Sequence, residues 1–255
     1  MITILEIAGL LILPGFLLLD LFHRQKDYKR PRFWRSRSLV VTIVAVATNI
    51  AVLVGWGMLL EDFHLFDLAG LGAWGAIAGI LCYEVGHYLY HRAAHRHSRI
   101  WYLGHQMHHS AESIDAFSAF YLHPLDNVIF STLSALLVYP LLGITPEAGA
   151  IVGFWLAVNA TLQHANIATP HWIGYLIQRP ESHRIHHARG IHRYNYANLP
   201  VIDMFFGTFW NPKECDLEAG FYDGASTRIG DMLLFRDVSS PADGEEAHTS
   251  VSPIY

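Results

Sequence analysis

Charge is scarce in this chain. Asp, Glu, Lys and Arg make up 15% of its 255 residues while hydrophobic residues reach 52%. An average soluble domain carries about 25% charged residues, so a membrane protein is the first expectation. Cysteine is nearly absent: Cys82 in an apolar segment and Cys215 in a polar one are the only thiols, which excludes a disulfide framework and a cysteine-ligated zinc or iron–sulfur site as the main theme. Basic residues sit beside the apolar segments instead of forming a free face, which argues against nucleic acid as a partner. No Gly/Ser/Pro-rich linker divides the chain and no internal repeat is visible, so residues 1–238 are expected to form a single membrane-embedded domain. The tail, residues 239–255, is polar and acidic (Asp243, Glu245, Glu246) and is expected to be disordered and dispensable.

Apolar runs stand at residues 2–22, 39–60 and 68–90, each long enough for a hydrocarbon layer that takes about 20 helical residues. The first lacks a basic leader and a small-residue cleavage site and reads as a retained helix, not a signal peptide. Two shorter runs, residues 128–142 and 148–162, flank the turn Gly143-Ile144-Thr145-Pro146 as a hairpin, and their length leaves open whether it crosses fully. Arg24, Lys26, Lys29, Arg30, Arg32, Arg35 and Arg37 crowd the first connection while Glu61, Asp62 and Asp67 occupy the second, which puts the first in the cytoplasm. Counting crossings from there returns the end of the third helix, near His91, and the end of the hairpin, near His164, to that same side. The expected fold is all-α: a polytopic membrane helical bundle with a cytoplasmic helical cap carrying a histidine-rich dimetal site.

Histidine is in excess, with 17 in 255 residues, and its imidazole is the commonest metal ligand. His91 and His95 stand one helical turn apart and project from one face, where two rings can share one ion. His105-Gln-Met-His108-His109 has offsets of three and four, and the spelling recurs at His183-Arg-Ile-His186-His187. Three fixed positions match by chance with a probability of roughly the cube of one in fifteen, so two triplets beside a pair are a strong signal. Together they offer more nitrogen than one ion takes, which implies two metals. Zinc is redox-inert and its structural sites close with four ligands, usually including cysteine. Two irons fit the surplus better. With O2 as co-substrate they could take hydrogen from a substrate carbon and either return a hydroxyl or remove a second hydrogen, and the ligand set does not say which. The competing readings are a zinc-dependent membrane hydrolase and a non-enzymatic membrane protein that binds metal or haem.

The boxes HxxxH, HxxHH and HxxHH in this order resemble the sterol desaturase and fatty acid hydroxylase superfamily. The likeness includes Tyr90-His91-Arg92, Trp101 before His105, Ser110, His123-Pro124-Leu125, Gln163-His164-Ala165-Asn166-Ile167, Asn195-Tyr196 and Phe206-Gly207-Thr208-Phe209, and covers residues 84–210. The resemblance implies oxygen-dependent hydroxylation or desaturation of a membrane lipid, sterol, fatty acyl or related. It also implies that His91, His95, His105, His108, His109, His183, His186 and His187 are catalytic iron ligands, with His164 an additional metal ligand. A multi-pass protein of a bacterial inner membrane or the endoplasmic reticulum follows. So does a separate electron-transfer protein, since no Gly-rich dinucleotide fingerprint and no haem-binding domain is present.

Three positions depart from the family pattern. Ala197 stands where glycine usually follows Asn-Tyr, His192 where an acidic residue is common, and His87, one turn before His91, where an aromatic is usual. His87 is thereby a candidate further metal ligand, or a hydrogen-bond donor to one. Glu84 is expected to orient a ligand ring, and His123 to be structural. His171 and His192 are expected at the membrane surface or behind a ligand, and His23, His64, His97 and His248 in solvent or among headgroups. Trp101, Tyr102, Trp172 and Tyr175 are expected to anchor at the membrane surface. Arg92, Arg96, Arg99, Arg179, Arg184 and Arg189 are expected to face anionic headgroups or an acidic electron donor.

Overall fold

The structure is a computed structural model that describes residues 2–61 and 63–241. Asp62, His248 and all but the first three residues of the acidic tail lie outside the described residues. Helices α1 (Ile2–Phe22), α2 (Trp34–Leu59) and α3 (Gly75–Arg96) form where the apolar runs stand. Short helices α4 (Ser98–Ile100) and α5 (Gln106–His109) follow, joined by a π-helical turn at Trp101–His105. The hairpin is α6 (Pro124–Val138) and α7 (Pro146–Leu162), and the remainder carries α8 (Pro180–His186), α9 (Pro200–Phe206) and α10 (Ile229–Leu233). Among the described residues there is no strand, only one isolated bridge between Ala188 and Ala219.

Helix α3 is the centre of the bundle, packed between α6 and α7, with α1 along α7 and α2 along α6. Small residues permit the close approach, as expected where lipid offers no hydrophobic drive: a Cβ at Gly79 would lie 2.8 Å from Val152 and one at Gly86 2.4 Å from Leu137. Polar side chains add bonds between α2 and α6, Asn49 Nδ2 donating to Ser131 Oγ at 2.8 Å and Asn127 Nδ2 to Ala45 O at 2.8 Å. The outward faces are apolar and exposed, with Val40 at 61% and Met58 at 76%, a surface that suits a lipid surround. By length and apolarity α2 and the segment Ala69–Arg96 qualify as spans, while Ile7–Phe22 and Pro124–Val138 are shorter apolar helices.

His123 caps α6, its Nδ1 accepting from Leu125 N at 3.0 Å, and Thr145 caps α7 ahead of Pro146. At the hairpin tip Leu65 N donates to Pro140 O at 2.8 Å and Phe66 N to Leu141 O at 3.0 Å. The hairpin therefore reaches as deep as the connection between α2 and α3. Gly143 makes the contact possible, because its φ is +57° and a Cβ there would lie 2.3 Å from Phe66 O.

The end of α1, the start of α2, the end of α3, the start of α6 and the end of α7 all meet the cap. Asp20 in α1 accepts from Ala116 N and from Asn166 N, and Trp34 at the head of α2 donates to Asp115. The basic first connection lies on this cap, with Lys26 N donating to Asn166 Oδ1 and Arg30 paired to Asp115 at 3.2 Å.

Arg179 and Arg184 correct the expectation made for them. Both are buried. Arg179 pairs with Glu181 at 2.9 Å and donates to the carbonyls of Thr169, Pro212 and Lys213, and Arg184 donates to Gln25 and Asn166. They close the cap internally. Arg189 pairs with Glu218 and Asp223.

Candidate metal centre

Nine histidines converge in the cap, in two groups whose ligand-capable nitrogens lie within 4.8 Å of one another: His91, His95, His105, His109 and His186 in one, His108, His164, His183 and His187 in the other. The helical offset of four keeps His91 with His95, His105 with His109 and His183 with His187. The offset of three sends His108 and His186 across to the opposite group, so the two sites share their supporting helices. His87 belongs to neither group; its Nδ1 lies 3.2 Å from Tyr83 Oη and its ring packs against Phe130 and His91.

The hydrogen bonds dictate what these rings offer. A backbone carbonyl only accepts, and His91 Nδ1 lies 2.8 Å from Tyr196 O while His186 Nδ1 lies 2.7 Å from Tyr194 O. Both rings therefore carry hydrogen on Nδ1, which leaves Nε2 a bare lone pair in the neutral imidazole. Those two Nε2 atoms face each other at 3.0 Å. His164 donates from Nδ1 to Ala160 O at 2.8 Å, and its Nε2 lies 3.1 Å from Nε2 of both His108 and His183.

A proton between the rings could relieve this repulsion, but burial first and neighbouring imidazoles second hold His108, His109, His183, His186 and His187 well below the ordinary histidine value. Burial takes His164 down to about 4. Lone pairs brought together and denied a proton are stabilised by a cation, so this donor set fits metal ions. Nδ1 of His108, His183 and His187 and Nε2 of His109 are buried without a hydrogen-bond partner; each ring offers one lone pair, and the other nitrogen carries the hydrogen.

Residues behind the clustered rings set their orientation. Asp126 Oδ2 accepts from His105 Nδ1 at 3.0 Å, while Tyr90 Oη donates to Asp126 Oδ1 at 2.5 Å. This carboxylate was not among the sequence candidates, although an ionisable residue at the head of an apolar helix is a signal in its own right. Glu84 does not touch a ligand ring. It accepts from Trp155 Nε1, Asn198 N and Leu199 N and so ties α3 and α7 to the loop that carries the Tyr196 carbonyl. His192 stands behind His109, the two Nδ1 atoms 3.1 Å apart. Ala197 lies outside the left-handed region, so the missing glycine costs nothing there, whereas His192, Tyr194 and Asn195 have positive φ. Trp101 packs its ring 5.2 Å from both His95 and His109 and is part of the cluster's wall.

Residues 76–208 match the family model described as fatty acid hydroxylase. Over 158 residues the chain is 30% identical to the alkylglycerol monooxygenase of Homo sapiens, covering 58% of this chain and 34% of that protein. It is 30% identical over 146 residues to the ornithine lipid hydroxylase OlsE of Rhizobium tropici, covering 55% and 43%. It is also 20% identical over 156 residues to sphinganine C4-monooxygenase 1 of Arabidopsis thaliana, covering 60% of each. The chain thus spans about a third of the length of the alkylglycerol monooxygenases it matches. No solved structure matches it.

Proposed function

Since the chain belongs to the fatty acid hydroxylase family, we propose that it is an oxygen-dependent lipid hydroxylase, with a five-histidine and a four-histidine site each holding one iron. The observation that carries this is the pair of Nε2 atoms of His91 and His186, which face each other at 3.0 Å across elements distant in sequence while carbonyls hold both Nδ1 protons. Bound irons would supply the oxygen chemistry needed to take hydrogen from an unactivated carbon, a reaction that redox-inert zinc does not offer. The relatives' names, monooxygenase and hydroxylase, favour insertion of oxygen over desaturation.

The chain's own residues do the rest. Neutral rings keep their lone pairs available at ordinary pH. The Tyr194, Tyr196 and Ala160 carbonyls and the Asp126 carboxylate hold the Nδ1 protons of His186, His91, His164 and His105, which fixes the tautomer and aims Nε2 inward. Burial of the cap excludes bulk water. A lipid substrate reaches the centre from the bilayer side, along helices whose outer faces are apolar. The protein is multi-pass, forms a single domain, keeps the cap in the cytoplasm next to the basic first connection, and takes electrons from a separate carrier protein.

The test is His108→Ala and His186→Ala, one from each group. Each is expected to abolish hydroxylation and to lower bound iron, and normal iron with normal turnover would refute the proposal. Activity should require both oxygen and reductant, with lipid mass spectrometry showing a gain of one oxygen. Turnover without oxygen would point to a hydrolase instead.

A further inference from the structure

We propose that helix α9 lies in the plane of the bilayer interface with Val201 and Phe205 in the acyl-chain layer, and that this seating holds the loop that orients His91 and His186. The first half rests on the membrane reading above.

Helix α9 has two dissimilar faces. On the inner one Pro200, Ile202 and Asp203 are buried. Outside, Val201, Met204, Phe205 and Phe206 are exposed, Phe205 at 84%, and the adjoining turn at His171–Tyr175 adds Trp172 and Tyr175. So much contiguous apolar surface has to meet another apolar phase.

Lipid is that phase, because the patch continues the lipid-facing side of α3. Leu81, Val85 and Leu89 are exposed on that helix, and next to Leu89 the Tyr88 ring stacks on Phe206 at 4.7 Å and 12°. Arg92, the first charged residue after Glu84 along α3, donates to Tyr88 Oη at 2.8 Å and holds its guanidinium 5.9 Å from the Phe206 ring. An arginine whose guanidinium sits beside aromatic rings and bonds a tyrosine hydroxyl fits the headgroup level, where amphipathic side chains and cations gather. A short helix with an apolar outer face at that level fits the interfacial mode of membrane contact.

The inner face connects this seating to the metal centre. Asp203 accepts from Tyr196 N at 2.9 Å, Ala197 N at 2.8 Å and Thr208 Oγ1 at 2.7 Å. The same loop presents the Tyr196 and Tyr194 carbonyls to His91 and His186. Tilting α9 out of the interface would drag Asp203, then the loop, then both rings.

The first half is tested with spin labels on Phe205→Cys, Val54→Cys of the lipid-facing side of α2, and Glu214→Cys on the cap, in proteoliposomes. The labelled wild type supplies the background from half-buried Cys82 and buried Cys215. Position 205 is expected to match 54, with collisions dominated by oxygen over a water-soluble nickel chelate. If 205 matches 214 while 54 stays in lipid, the inference is overturned; if 54 is aqueous as well, the membrane reading itself fails. The second half is read from Fe(II) affinity. Phe205→Asp should lower it about 10-fold and Phe205→Leu should restore it, and unchanged affinity in Phe205→Asp overturns the coupling.

Discussion

Replacing Asp126 with asparagine should loosen one metal and leave the other in place. The carboxylate is 1% exposed and takes two hydrogen bonds, one oxygen from His105 Nδ1 at 3.0 Å and the other from Tyr90 Oη at 2.5 Å. Asparagine keeps the shape, and its oxygen can still accept from His105 while its amide donates to the Tyr90 hydroxyl, but the charge is gone. A hydrogen bond to a charged group is worth about 1.5 to 3 kcal/mol and a neutral one about 0.5 to 1.5 kcal/mol, a difference of about 1 to 1.5 kcal/mol that corresponds to about 5- to 10-fold in metal affinity. Because His105 belongs to the five-histidine group, the weakening should be confined there. Dialysis of purified protein against graded chelator, followed by metal analysis, should show one ion released earlier and one unchanged. Tyr90→Phe leaves the His105 bond intact and should lose less. If Asp126→Asn released both ions as the wild type does, the idea that this carboxylate fixes the His105 ring would be wrong.

Further expectations follow from the same geometry. His164→Ala should lower bound metal because its Nε2 faces His108 and His183, whereas His87→Ala should keep it because that ring bonds to Tyr83 outside both groups; metal analysis of the two variants decides. Gly143→Ala should destabilise by about 1 to 3 kcal/mol, since its φ is positive and a backbone oxygen blocks the new Cβ, while Gly86→Ala should cost less because Leu137 is a flexible side-chain end. Equal melting temperatures would contradict that ordering. Chelator-stripped protein should lose stability as pH falls. Unfolded histidine takes up a proton from about 6.5 downward, while folded His164 waits until about 4. Its contribution is therefore fully present above about 6.5 and amounts to about 3 kcal/mol lost by about pH 4. A flat thermal unfolding temperature across that window would contradict the assignment of these rings as buried and neutral.

How much could be read in advance differs by level. Long apolar runs predict helices because a backbone in lipid must satisfy its own hydrogen bonds, and α1, α2 and α3 stand on those runs. The histidine boxes could be listed by spacing, since offsets of three and four share a helix face. Arg179 and Arg184 were misread because a sequence does not reveal that carbonyls and carboxylates distant along the chain will gather round a cation and make its burial tolerable. The depth of the hairpin was equally out of reach, because it depends on backbone bonds between its tip and residues 65–68.

By itself the amino-acid sequence determined an apolar helical chain, a family, and a stock of imidazoles in local pairs and triplets. Only the tertiary structure decided which ring falls in which group: His108 and His186 cross between groups, His164 joins one of them, and His87 stays out of both. Helical periodicity acts over one turn, so it brings His91 beside His95. The meeting of His91 with His186, or of His108 with His164, depends on how α3, α5, α7 and α8 pack, and that packing is held by buried carboxylates and carbonyls that no local pattern encodes.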